Sequence, residues 1–211
     1  VRDFAAVSLL VTSPNMLLVH PSVPVASVKE LVAYAKARPG TLNYGSSGTG
    51  SVGHMAAELF QVVTGTQFAH VPYKGAAPSV NDLLSGRIQL MFIGPTLVPH
   101  VKSKKLKALA MGGSKRLASL EEVPTFAEAG YPEVEAAQWY GVVTTAGTPK
   151  AVVDRLNREI VASLQRPELR DKLLEMGFDP TSCTPPEFAR IIRDDLARWQ
   201  KVVKTAGIRL E

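Results

Sequence analysis

The chain has 211 residues, of which 45% are hydrophobic, 20% charged and 7% aromatic, the profile of one or two compact domains and not of a disordered polymer. No apolar stretch reaches the ~20 residues of a membrane-spanning helix, and the first residues lack the basic flank and apolar segment of an export signal. Lys and Arg number 24 against 19 Asp and Glu, a formal net charge of +5 that mildly favours acidic partners, while the single cysteine, Cys183, excludes an internal disulfide and a cysteine-rich zinc site.

Short apolar runs alternate with capped helical segments along the chain, which predicts an α/β fold. Val7–Val11 and Met16–Val19 read as strands separated by a turn at Ser13-Pro14-Asn15. Ser27 and Glu30 have capping-box spacing and start a helix that Pro39-Gly40 ends. A short strand at Leu42–Tyr44 leads through a Gly/Ser loop into an apolar-periodic helix over Ser51–Val63. Phe68–Val71 enters the turn Pro72-Tyr73-Lys74-Gly75, followed by a helix ending at Gly86. Ile88–Phe92 is a strand broken by Ile93-Gly94-Pro95-Thr96 before a short helix near Val98–Val101, and Leu106–Met111 is a further strand. Three successive strand-loop-helix units therefore lie within 42–103, and parallel connections put their loops on one sheet edge, where α/β proteins bind ligands.

The remainder has a different texture. Thr125 and Glu128 predict a capping box on a very short helix ended by Gly130, and Glu135–Thr144 reads as extended. Thr148-Pro149 supplies a cap and first-turn proline for a helix with Val152, Val153, Leu156, Ile160 and Leu164 on one side. Pro167–Met176 is a second helix, and Thr184-Pro185-Pro186-Glu187 starts a third that runs to Thr205. Ile191, Ile192, Leu196, Trp199 and Val203 are expected as its buried stripe.

The most informative stretch is Tyr44-Gly45-Ser46-Ser47-Gly48-Thr49-Gly50-Ser51-Val52-Gly53-His54. Gly48, Gly50 and Gly53 match a dinucleotide fingerprint, but no acid stands at the ribose position about 20 residues on, and no lysine follows as in a P-loop. What remains is a hydroxyl-rich turn offering backbone N–H groups at a helix N-terminus, a cradle suited to a carboxylate, with a glycine-rich turn that merely caps its helix as the alternative. His54 and Glu58 share one helix face, yet no third ligand stands at a metal-binding spacing, so a surface pair or a satisfied histidine is expected. Ser51 with His54 lacks the elbow and the orienting acid of a nucleophilic triad. His20, His70 and His100 show no partner pattern and are assigned structural work.

Tyr73-Lys74-Gly75 and Gly94-Pro95-Thr96 are the further loops on the same edge. Lys74 is either a cation for the ligand or a solvated turn residue, and Thr96 is a cap or a donor. Trp139 lies in the extended segment, as core or as the wall of a cleft. The basic run Lys102, Lys104, Lys105 and Lys107 has no interleaved aromatic ring for bases to stack on, so it reads as a solvated turn and nucleic acid is not expected as a partner.

At these residues the sequence resembles the substrate-binding proteins of tripartite tricarboxylate transporters, the Bug or TctC family. The likeness runs from Val1-Arg2-Asp3-Phe4 through Leu42–Gly48 and Val71-Pro72-Tyr73-Lys74-Gly75 to Val123-Pro124-Thr125, Glu128-Ala129-Gly130, Trp139-Tyr140-Gly141 and Ala146-Gly147-Thr148-Pro149-Lys150. It is the ordered series, more than any one motif, that is specific. The resemblance implies a type II, two-lobed periplasmic binding-protein fold that closes on a small carboxylate or amino-acid-like ligand and delivers it to membrane transporter subunits. It implies a periplasmic location, no cofactor, no metal and no catalytic step.

Carried over by position, Ser46, Ser47, Gly48, Thr49, Gly50 and Ser51 with His54 form the second lobe's grip on a carboxylate. Tyr73, Lys74, Gly75, Gly94, Pro95 and Thr96 line the same site, with Trp139 near the crossover to the first lobe. Many relatives carry an acidic or small residue where this chain has Ile93. Residues 19–116 are expected as a complete second lobe, and 1–18 with 117–211 as the remainder of a first lobe whose opening strands precede the first residue of this chain. An incomplete lobe exposes sheet edges and apolar helix faces, from which self-association or domain swapping is expected. The competing reading is an enzyme using the Gly/Ser loop to hold a phosphate or nucleotide.

Overall fold

A computed structural model describes residues 2–208. The chain forms two compact units, one made of the segment up to Ser13 with Gln138–Gln200, the other of Pro14–Ala137 with the segment from Lys201. Strand β1 (Phe4–Pro14) runs straight through Ser13-Pro14, and β2 (Met16–Val19) begins after Asn15 alone. The expected turn is therefore absent. Asn15 is held extended because its N–H and its Nδ2 both donate to the Ala136 carbonyl while its own carbonyl accepts from Gly112 N–H.

The larger unit then alternates α1 (Val28–Ala37), β3 (Asn43–Ser46), α2 (Val52–Thr64), β4 (Ala69–Pro72), α3 (Ala76–Leu84), β5 (Leu90–Ile93), α4 (Val98–Lys102) and β6 (Lys107–Met111). Its five strands stand in the order β4-β3-β5-β2-β6. Strand β3 pairs parallel with β4 and β5, whereas β2 pairs antiparallel with β5 and β6. The C-terminal ends of β3, β4 and β5 thus share one edge, as the three strand-loop-helix units require.

Two apolar clusters sandwich this sheet. One, holding Leu17, Tyr44, Phe60, Leu90, Phe92 and Phe126, packs one face, and the other, with Met16, Leu18, Leu83, Ile88, Met91 and Met111, packs the opposite face. The alternation of Met16 and Leu18 against Leu17 and Val19 between the clusters is the two-residue period of a strand buried on both sides. Burying one such side chain contributes about 1.5–3 kcal/mol.

Close packing of helices on this sheet depends on two glycines. A Cβ at Gly53 would stand 2.5 Å from the Phe92 carbonyl oxygen, so α2 lies directly against β5 at its first turn. A Cβ at Gly45 would collide with Ile88 and with Ser79 of α3.

The smaller unit holds a three-stranded sheet in the order β7-β1-β8, with β7 at Ala137–Thr145 and β8 at Asp179–Pro180. It also holds α5 (Lys150–Leu164), α6 (Pro167–Glu175) and the part of α7 (Pro185–Ala206) up to Gln200. Phe188 is fully buried, and a Cβ at Gly141 would run into its ring.

Several local expectations need correction here. The box at Thr125 and Glu128 closes reciprocally, Glu128 N–H to Thr125 Oγ1 at 3.1 Å and Thr125 N–H to Glu128 Oε2 at 2.8 Å, but only turns follow it. Thr148 does not cap α5, because its hydroxyl donates back to the Thr145 carbonyl and Pro149 takes the cap position. The stripe assigned to α5 is only partly covered, with Val152 and Leu156 exposed, Ile160 half-buried and Val153 and Leu164 buried. In α7, Leu196 is exposed, and Trp199 is half-buried with the Arg198 guanidinium 4.7 Å from its ring centre. Helical spacing selects a face, but coverage depends on what packs against it.

Candidate functional site

The loop leaving β3 is shaped by its own hydrogen bonds. Ser46 is fully buried, and its hydroxyl lies 2.7 Å from His70 Nε2 while also meeting the Gly48 carbonyl and N–H. Gly48 and Gly50 adopt positive φ angles of 132° and 79°, which L-residues with side chains disfavour, so the glycines permit the tight reversal into α2. Ser51 is the N-cap, its hydroxyl accepting from His54 N–H, and Ser51 N–H donates to the Gly48 carbonyl. Ser47, Thr49 and Gly50 are exposed, as is Val52 at the first helical position.

The N–H groups of Thr49, Val52 and Gly53 take no part in these bonds and stand at the positive end of a 13-residue helix. That arrangement can bind an anion with neutral donors. The second loop is tied to the first, since Tyr73 N–H donates to the Ser46 carbonyl and Gly75 N–H to that of Ser47. Gly75, with φ 111°, is the N-cap of α3, and Lys74 is exposed. The Tyr73 hydroxyl is engaged by Asp82 Oδ2 at 2.8 Å, Asp82 is in turn held by Arg87 at 3.1 Å, and the tyrosine ring packs against the apolar cluster of Leu83 and Met91. On the third loop, Gly94 and Pro95 are buried and Thr96 is exposed at the start of a 3-10 turn, Pro95–Leu97.

The parallel register sets these loops on one edge of the larger unit, because Ser46 pairs with Pro72 and Gly45 with Met91. Trp139 belongs to the other unit. There its Nε1 donates to Asp195 Oδ2 at 2.9 Å and its ring meets Phe188 edge-on.

Behind the first loop lies a polar stack that sequence reasoning did not assemble. His54 is 4% exposed, and its Nδ1 accepts the Gly50 N–H at 3.1 Å. Its ring stacks on His70 at 4.1 Å between centroids, and His70 stacks on Tyr44 at 4.7 Å. The Tyr44 hydroxyl donates to Glu58 Oε1, which also accepts from Gln61 Nε2 at 2.9 Å and lies 3.9 Å from His54 Nε2. His54 and Glu58 are therefore a shielded pair, not a surface one. Burial raises the Tyr44 hydroxyl pKa well above its ordinary value, and Glu58 adds to that. Burial lowers that of His54 against the opposing pull of Glu58, and burial together with His54 brings His70 down to about 4. His70, given only structural work from sequence, is a direct partner of the Ser46 hydroxyl. The signal that finds it is strand register, since Tyr44 and His70 are parallel partners.

An α/β unit that gathers neutral donors at a helix N-terminus on the shared edge of three parallel strands has the local geometry of an anion cradle. The sequence pattern of the tripartite tricarboxylate transporter family receptors matches residues 1–208, and the chain belongs to that family. Protein BugT of Bordetella pertussis is 35% identical over 211 residues, all of this chain and 65% of BugT, so the chain spans about two thirds of that relative's length. An R. palustris protein solved with adipate matches with TM-score 0.87 and 41% identity over 98% of this chain and 69% of the other. The periplasmic binding protein BugD matches with TM-score 0.84 and 28% identity over 99% of this chain and 71% of BugD. The fold is thus that of the type II-like periplasmic receptors, and nothing in these likenesses favours a nucleotide-binding enzyme.

Proposed function

We propose that this chain supplies the carboxylate-gripping part of an extracytoplasmic solute receptor that delivers a small organic acid to a tripartite tricarboxylate-type transporter. The observation that carries the reading is the β3–α2 loop, in which exposed Ser47 and Thr49 and the unclaimed N–H groups at the α2 terminus face a common edge with the Tyr73–Gly75 and Gly94–Thr96 loops. Neutral donors plus a helix terminus satisfy both carboxylate oxygens without a counter-ion, and binding requires no bond to be made or broken. The adipate held by the R. palustris relative supports a dicarboxylate as ligand. In this reading Pro14–Ala137 acts as the second lobe in place of the expected 19–116, because β2 and the Phe126 segment pack with its sheet, and the segment up to Ser13 with Gln138–Gln200 acts as first-lobe remainder. The site of action is the periplasm, no cofactor takes part, and the membrane partner is the transporter's own subunits.

Self-association of this 211-residue chain is part of the reading, with Phe4, Tyr140, Val152, Leu174 and Met176 of the smaller unit each exposed by more than two fifths. Light scattering checks it: a concentration-dependent dimer is expected, and a monomer at all concentrations contradicts it. The binding claim is checked by calorimetric titration with adipate, malate and ATP. Heat and saturation are expected with a dicarboxylate, whereas binding of ATP alone would reverse the assignment to the nucleotide-using enzyme.

A further inference from the structure

We propose that His54 is a positioning residue that holds the β3–α2 loop in its ligand-ready shape through an unprotonated Nδ1, and that proton uptake at this atom loosens the loop. The inference rests on the reading of that loop as the carboxylate grip, and adds to it a control by pH.

The geometry fixes the protonation state. Gly50 N–H points at His54 Nδ1 with a separation of 3.1 Å, so Nδ1 is the acceptor and the neutral ring carries its hydrogen on Nε2. Any further proton must go to Nδ1. There it would set one N–H against another and remove the bond that ties Gly50 to the helix it precedes. Gly50 has a positive φ and an exposed position, and the neighbouring Ser51 N–H to Gly48 carbonyl bond is the other tie across this reversal. Loss of the first leaves the exposed donors of the loop without a fixed direction.

The groups that face the imidazole come from three elements. Glu58, one turn on in α2, lies 3.9 Å from Nε2, but its carboxylate is engaged by Tyr44 of β3 and by Gln61. His70 of β4 stacks on the ring at 4.1 Å, so a charge on one histidine opposes a charge on the other. Tyr44 lies beyond His70, 6.3 Å from His54 between ring centroids. Protonation of His70 has a different consequence. A protonated Nε2 donates to Ser46 Oγ, whose own hydrogen can still reach the Gly48 carbonyl at 3.1 Å, so that part of the loop survives. The proton-sensitive joint is the bond between Gly50 and His54.

The test uses the full chain and His54→Asn, whose side-chain carbonyl can accept the Gly50 N–H at every pH. In the ligand-free protein, protection of the Gly50 amide against hydrogen exchange, corrected for the intrinsic pH effect, is expected to fall about tenfold between about pH 7.5 and about pH 5 and to stay flat in His54→Asn. Nitrogen chemical shifts of the wild-type ring give an independent reading: a neutral Nε2–H tautomer is expected at pH 7.5, and an Nδ1–H tautomer overturns the proposal whether or not the variant folds. Adipate affinity is then measured over the same range. A fall on acidification about fivefold steeper in the wild type than in His54→Asn is expected, the ionisation of adipate being common to both. Equal slopes, or an affinity that rises through His54, overturn the proposal. If adipate binds neither form, the receptor reading fails while the Gly50 exchange still decides the role of His54.

Discussion

The two units of this chain spend their apolar residues differently. In the larger unit, both clusters of buried side chains lie between Leu17 or Met16 and Ala136, and the Phe60 ring stacks on Phe68 and meets Phe92 and Phe126 at a tilt, with centroids 5.8 to 6.1 Å apart. In the smaller unit, Val152, Leu156, Leu174, Met176 and Leu196 are exposed, while Val7, Leu9, Val11, Val153, Leu164 and Phe188 are buried. The polar stack of His54, His70, Tyr44 and Glu58 is found in the first unit, where well-packed strands on both sides fix the position of each donor. A loop made largely of glycine and serine thus derives its shape from what lies beneath it.

The contrast can be broken by substitution. Phe60→Ala, at the centre of the ring cluster, is expected to cost about 3–5 kcal/mol in chemical denaturation, and a loss below about 1 kcal/mol would show that this core is not the stabilising element. Gly53→Ala drives a methyl into the Phe92 carbonyl and is expected to cost about 2–3 kcal/mol and to weaken adipate binding, because α2 must lift off β5; an unchanged melting temperature would refute the close approach.

Acid should act on the same unit. His54 and His70 bind protons less readily in the folded chain than in the unfolded one, so the unfolded state holds more protons between about pH 4 and pH 6.5. Their neutral burial contributes stability that is fully present above the unfolded value and drains as pH falls through that window. Denaturation midpoints measured across this range in wild type and His70→Asn check it: the wild type should lose more stability on acidification, and parallel curves would contradict the account. The smallest effect belongs to the smaller unit, where Leu174→Ser, at an exposed α6 position, is expected to change stability by no more than about 0.5 kcal/mol and to reduce self-association.

Much of this architecture is legible along the chain. The three strand-loop-helix units and the Ser27 cap of α1 follow from local rules of period and capping. Non-local facts were not legible. His70 carries no neighbouring signal, and it meets Ser46 and His54 only because β3 and β4 pair in a particular register. The Thr125–Glu128 box has the right spacing for a helix start, yet Met111 N–H to the Pro124 carbonyl and Phe126 N–H to the Met111 carbonyl hold that segment against β6 instead. The stripes of α5 and α7 were visible as periodicity, but their exposure depends on what covers them, which spacing does not encode.

The most direct measurement is a titration of the labelled chain with adipate at neutral pH, followed by backbone amide shifts. The account predicts saturable shifts concentrated at Ser47–Gly53 with smaller ones at Tyr73–Gly75 and Thr96. Saturable binding that leaves the Ser47–Gly53 amides unmoved, or shifts produced by ATP and by no dicarboxylate, would contradict it.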